Sequence, residues 1–153
     1  MVAMPTRHSG PIIAALAGFL LAASAQMSSP ASAEPETSLT SAVDAARGSC
    51  PPLRSDPLVV RAAQLANRGT ADYITHRSAA SPVSDPMPAL RTVGYAGSKA
   101  RLLSGYGTNE RDAIHGLVVQ GYKTIPDCSF TQYGADVHQE EGFVLTSVIL
   151  AAP

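Results

Sequence analysis

The side chains best placed for chemistry in this 153-residue chain are His76 and Asp72, four positions apart on a stretch with helical periodicity. A carboxylate and an imidazole at that spacing share one helix surface and can work as an acid–base pair. The same spacing is equally that of an ordinary surface contact at a helix end, where an imidazolium is favoured by the helix dipole. His115 is a second candidate base, beside Ile114 on another helical stretch. His138 with Glu140 and Glu141 forms a third group in an expected hairpin turn, either a surface trap for a metal ion or a solvated turn. Three tyrosines, Tyr95, Tyr106 and Tyr122, each follow a glycine near an expected loop. Tyr has a flat apolar body and a polar tip, so the three are candidates for lining a ligand groove, or for packing loops onto the core.

Other catalytic signatures are absent from the sequence. There is no Gly-x-Ser-x-Gly elbow, no Ser-x-x-Lys and no His-Glu-x-x-His. The run Gly94 to Lys99 has glycines and a lysine, but in the wrong order for a phosphate loop, and reads as a turn. The two cysteines, Cys50 and Cys128, are an even pair. In an exported chain such a pair reads as a disulfide, which leaves no thiolate for nucleophilic work.

Export is expected from the N-terminus. Arg7 and His8 precede an apolar run, Ile12 to Ala23, and small-residue sites follow at Ala23-Ser24-Ala25 and Ala31-Ser32-Ala33. That order describes a secretory signal peptide over residues 1–33, with Ala25 as the other cleavage point. The run is too short for a membrane anchor, and no transmembrane span is expected in the mature chain. Residues 34–37 read as a short linker and 38–153 as one domain. Formal charge is −1 and charged residues make up 15%. No basic surplus points to nucleic acid, and 45% apolar content argues against a disordered chain.

The elements that must position the candidate residues follow from periodicity. A short helix is expected around Leu39, Val43 and Ala46, capped by Ser38 or Thr40 and ended by Gly48. Asp56-Pro57 opens the clearest helix, since Asp is a good N-cap and Pro suits the first helical position. Leu58, Ala62, Leu65, Gly69 and Tyr73 fall at helical spacing and predict its buried face, with His76 extending that face at the end. Asp85-Pro86 starts a short helix that Gly94 stops. Residues 94 to 107 hold four glycines and read as loop, a short strand at Ala100 to Leu103, and a turn. Thr108 or Asn109 caps a helix running to Gly121. Beyond Pro126 the period becomes two, predicting a strand through Phe130, Tyr133, Ala135 and Val137, a turn at Gln139 to Gly142, and a strand from Phe143 to Leu150. Helices first and strands last favour an α+β fold.

This order meets a recognisable string. Residues 50–76, CPPLRSDPLVVRAAQLANRGTADYITH, resemble the entry to the CAP superfamily, the cysteine-rich secretory, antigen 5 and pathogenesis-related proteins. Leu90 to Gly105 is similar to the family's middle segment, and Ser129-Phe130-Thr131-Gln132-Tyr133-Gly134 to its final strand pair. The resemblance implies a three-layer α-β-α sandwich with a small antiparallel sheet. It also implies a central cavity where many members hold a divalent metal with two His and two acids. Only His76 matches that tetrad. The first acid falls near Ala100 and Arg101, the second near Val118, and the second His near Gly121 to Lys123, none of which supplies the group. A zinc site needs three or four protein ligands, so no metal and no cofactor is expected. The resemblance thus implies a degenerate, secreted, bacterial CAP-like domain. Its expected ligand is a lipid or sterol contacting His76, Tyr95, Tyr106 and Tyr122, or a protein partner in the cell envelope. The competing expectation is a divergent hydrolase using His76 with Asp72 or His115.

Overall fold

The computed structural model describes residues 34–153. The signal-peptide reading and both cleavage sites lie outside the described residues. The elements run α1 (Pro35–Ala46), β1 (Arg54–Ser55), α2 (Pro57–Ile74), α3 (Met87–Thr92), β2 (Lys99–Gly107), α4 (Glu110–Gln120), β3 (Gln132–Glu140) and β4 (Phe143–Ala152). Residues 35–37, expected to be linker, are the first turn of α1, with Pro35 in the opening turn where its missing N–H costs nothing.

Ser38 and Thr40, expected as caps of α1, lie inside that helix, whose N-cap is Glu34 with no side-chain cap hydrogen bond; the caps ahead of α2, α3 and α4 behave as their residue types require. Asp56 Oδ1 accepts from Leu58 N at 2.8 Å and Val59 N at 3.2 Å, which closes the start of α2. Asn109 Oδ1 accepts from Asp112 N at 3.0 Å at the start of α4. Asp85 Oδ1 accepts from Met87 N at 3.0 Å ahead of α3.

The sheet order is β1-β3-β4-β2. β3 and β4 form an antiparallel hairpin with Glu140 opposite Phe143, and β2 pairs antiparallel with β4 along its whole length. The expected antiparallel sheet gains one parallel edge, because β1 pairs β3 in parallel over two residues. β4 is the central strand and is buried on both faces except at its last residue. Its alternation sorts the core into two layers. Val148 and Leu150 pack with Leu39, Val43, Leu117, Ile125 and Phe130 on the side of α1 and α4. Ile149 and Ala151 pack with Val59, Ala62, Ala63 and Leu90 on the side of α2 and α3. The buried hydroxyls follow the same rule: Thr146 Oγ1 donates to Ala113 O of α4 at 3.2 Å, and Ser147 Oγ donates to Ala63 O of α2 at 2.9 Å. Adjacent strand residues point to opposite faces, so α2 and α4 must lie on opposite sides of the sheet. That is the expected α-β-α sandwich.

Two expectations about the elements are corrected. β2 is not a four-residue strand followed by a turn; it continues to Gly107. The glycines that look like turn residues are there because α4 lies directly on the strand. A Cβ on Gly105 would stand 1.9 Å from Ala113 O. The buried face of α2 is also rotated. Leu58, Leu65 and Tyr73 are 39%, 37% and 43% exposed, while Val59, Ala62, Ala63, Ala66, Asn67 and Ala71 are buried. Only Ala62 belongs to both rows. The small-residue row wins because it lets the helix backbone approach the sheet.

Candidate functional site

The C-terminal end of α2 decides the fate of the His76–Asp72 pair. The helix stops at Ile74, and Thr75 is its C-cap. His76 then takes a left-handed conformation, φ 58°, and is exposed. Arg77 N and Ser78 N both turn back to donate to Asp72 O, at 2.7 and 3.0 Å. This backbone closure satisfies a helix-end carbonyl and throws the imidazole outward, beyond the helical face it was expected to extend. The Asp72 carboxylate instead accepts from Arg77 Nε at 2.9 Å.

Arg77 is the residue that sequence reasoning missed here. Its Nη2 also reaches Glu140 Oε1 at 2.6 Å, and His138 Nε2 lies 3.2 Å from the same oxygen. His138 and Glu140 are not in the turn, as expected, but on β3, where residues two apart share a face; of that group only Glu141 lies in the turn. Arg77 first, then His138, holds the Glu140 carboxyl below the usual range. With its carboxyl held down in this way, Glu140 is a poor proton donor. The cluster is an ion-pair clasp from α2 to the β3–β4 hairpin. Arg77's neighbour in sequence, His76, takes no part in it.

The other candidates lie apart. His115 is exposed on α4. Tyr95 is buried and its hydroxyl donates to Gln132 Oε1 at 2.6 Å, at the start of β3. Burial pushes its phenol up, and the charge of Asp56 adds to that. It lines a pocket of about 240 Å³ with Ala96, Gly97, Gln132 and Pro153. Tyr106 is 58% exposed and stacks on Phe143, centroids 5.8 Å apart, at the opposite end of the β3–β4 hairpin. Tyr122 is 66% exposed, with Lys123 Nζ over its ring at 5.3 Å. Tyr95 and Tyr106 therefore do not share one groove.

Where the tetrad would have its other groups, Ala100 is buried, Arg101 is exposed, Val118 is half-buried and Lys123 is exposed. Among the described residues no group of three or more His, Cys, Asp or Glu side chains converges as a metal ion would need. Cys50 and Cys128 are bonded to each other, Cα atoms 5.1 Å apart. Beside them Lys99 Nζ contacts Ser129 Oγ and, at 3.0 Å, Asp127 Oδ2. A Ser–Lys contact can be a nucleophile and base only if the amine is neutral. Here the amine is ion-paired, and hydrogen bonds from Ser129 and then Lys99 hold Asp127 down at about 2. This group pins the disulfide loop to β2.

Among the described residues three further recesses stand out. The largest, about 680 Å³, is a polar surface cleft lined by Ser38, Ile114 and Asn109 to Asp112. A groove of about 170 Å³ runs along α2, lined by Leu65, Ala66, Gly69, Asp72 and residues of the 78–83 loop. It adjoins the exposed Leu row, and Ile74 and Val83 add to the same apolar exposure at 36% and 48%. A third recess, about 280 Å³, lies against the disulfide.

The three-layer arrangement can now be set against known structures. It superposes on a cysteine-rich secretory protein from Staphylococcus aureus subsp. aureus Mu50 with a TM-score of 0.59 at 13% identity, covering 78% of this chain and 39% of that one. The chain has the CAP fold. An outer surface protein from Borrelia burgdorferi gives 0.58 at 8% identity, covering 74% of this chain and 88% of that one. An extracellular protein containing an SCP domain from Bacillus anthracis str. Ames gives 0.50 at 15% identity, covering 78% and 40%. The chain thus spans about two fifths of the length of the staphylococcal and Bacillus proteins. No family model and no curated protein matches the sequence. At 8–15% identity the likeness is one of fold. Among the described residues no helix is long and apolar enough to cross a membrane.

Proposed function

We propose that this chain is an exported CAP-type binding domain that works without catalysis, and that it takes an apolar ligand, a lipid or a sterol, on the outer surface of α2. The observation that carries the reading is the Leu58–Leu65–Tyr73 row, which stays exposed at helical spacing and borders the groove of the 78–83 loop. Isolated exposed leucines need no explanation, but three apolar side chains along one helix face, Leu65 of them lining a groove, support an interaction surface. His76 stands at the end of the same helix and could meet a polar head group there. Export is supported by the basic-apolar-small order of residues 1–33, by the disulfide, and by the extracellular and surface descriptions of the fold neighbours.

The test is lipid extraction from protein purified from its own envelope fraction, followed by mass spectrometry, with Leu65→Asp as the control. A stoichiometric lipid or sterol lost in the variant supports the reading. A protein free of lipid, whose Leu65→Asp variant loses capture of an envelope protein instead, would move the surface to a protein partner. Esterase or peptidase activity abolished by His76→Ala would replace it with a hydrolase.

A further inference from the structure

Arg47 is 3% exposed, at the C-cap of α1. Its Nη1 donates to Ile125 O at 3.0 Å and Asp127 O at 3.3 Å, and its Nη2 to Pro51 O at 2.9 Å and Phe130 O at 3.2 Å. Four carbonyls take up the terminal donors, yet Nε is buried with no partner. Among the described residues no carboxylate pairs with this guanidinium: the ion pairs belong to Arg77, Lys99 and His138. A cation removed from water without a counter-charge is costly, and carbonyl dipoles offset only part of that cost.

The third recess lies on this cation. It is lined by Arg47, Pro51, Pro52, Arg54, Cys128, Phe130 and Thr131. Two of those residues are arginines and none is acidic. The two exposed prolines supply apolar wall, Thr131 adds a hydroxyl, and the disulfide holds both sides of the recess together. Rigid, apolar walls with a few convergent polar groups describe a small-molecule site, and about 280 Å³ is at the small end of such sites.

We propose that this recess binds a small organic carboxylate, its charge held by Arg54 in the field of the buried Arg47 and its apolar body lying on the exposed Pro51 and Pro52. Arg54 offers a planar fork that matches a carboxylate in two hydrogen bonds. Its own main chain is already fixed, since Arg54 N donates to Thr131 O at 3.0 Å, so binding orders only a side chain. The recess shares no residue with the α2 groove, and the two proposals stand or fall separately.

Phenylacetate is a suitable probe, with 2-phenylethanol as its uncharged counterpart and inorganic phosphate as a bare anion. Calorimetry and amide chemical shifts on the oxidised protein should show phenylacetate binding at Pro51-to-Arg54 and Cys128-to-Thr131 neighbours. The alcohol and Arg54→Gln should each weaken binding about tenfold, the value of one charge-assisted contact. Arg54 is exposed, so this variant should keep the parent melting temperature. Leu65→Asp should leave phenylacetate binding unchanged. No phenylacetate binding at about 10 mM, an affinity weaker than about −3 kcal/mol, overturns the proposal. So does equal binding of the alcohol, or equal affinity in Arg54→Gln. Tighter binding of phosphate than of phenylacetate overturns the apolar half of the assignment.

Discussion

Gly134 on β3 faces the backbone of Val59 on α2 so closely that a Cβ added to it would stand 2.2 Å from the Val59 carbonyl carbon. This approach explains why α2 buries alanines: a helix that touches a strand at main-chain distance has no room for leucine between them. Gly134→Ala should therefore force the helix off the sheet and destabilise the domain by about 1–3 kcal/mol or more, read as a lower urea midpoint. An unchanged midpoint would mean that the layers are further apart than this.

The rotated face of α2 gives an independent check. Ala63 is fully buried and its carbonyl accepts from Ser147, so Ala63→Leu should overpack the interface and cost about 1–3 kcal/mol. Leu65→Ala, on the exposed row, should change stability by less than about 0.5 kcal/mol. The opposite ranking in denaturant melts would restore the Leu face as the buried one.

Removing the Cys50–Cys128 bridge should lower stability by about 2–5 kcal/mol, since it closes a loop across 78 residues of sequence. The loop 125–130 would then be held by Arg47, by the Lys99 contacts to Asp127 and Ser129, and by the burial of Ile125 and Phe130. Thermal melts with and without reductant measure this; coincident melts would mean that the bridge adds nothing.

Acid should loosen the same loop in a defined window. Asp127 is held down at about 2 from an ordinary value of 3.8, first by the Ser129 hydroxyl, then by the Ser129 amide and Lys99. A carboxyl depressed in the folded state contributes stability that is complete above its unfolded value and is lost as pH falls toward the folded one. The loss should therefore run from about pH 4 down to about pH 2, and Asp127→Asn should flatten it. Glu140, lowered chiefly by Arg77, should add to the slope in the same direction. NMR titration of both carboxyls follows the change directly; ordinary pKa values at both would refute it.

Zinc should raise the melting temperature little, because the tetrad positions supply no converging ligands among the described residues. A large rise at low micromolar zinc would show a site that these side chains form only when bound.

How much of this was legible in the sequence differs by level. The starts of α2 and α4 were readable because Asp56-Pro57 and Asn109 act on amides two or three residues away. The β3–β4 hairpin was readable because one strand's period of two is a local pattern. The disulfide needed only an even pair of cysteines and an expected export signal. The side-chain partners were not readable. Asp72 and His76 had the right spacing, but the left-handed backbone at His76 and the reach of Arg77 to Glu140, 63 residues away, redirected the carboxylate. The two candidate faces of α2 were equally periodic, and nothing local separates them. Local chemistry in the chain determined caps, turns and strand period, because each depends on neighbours a few bonds away. The tertiary structure alone decided which face is buried, which cation is left without a counter-charge and which recess it lines, because those depend on how closely distant backbones can approach.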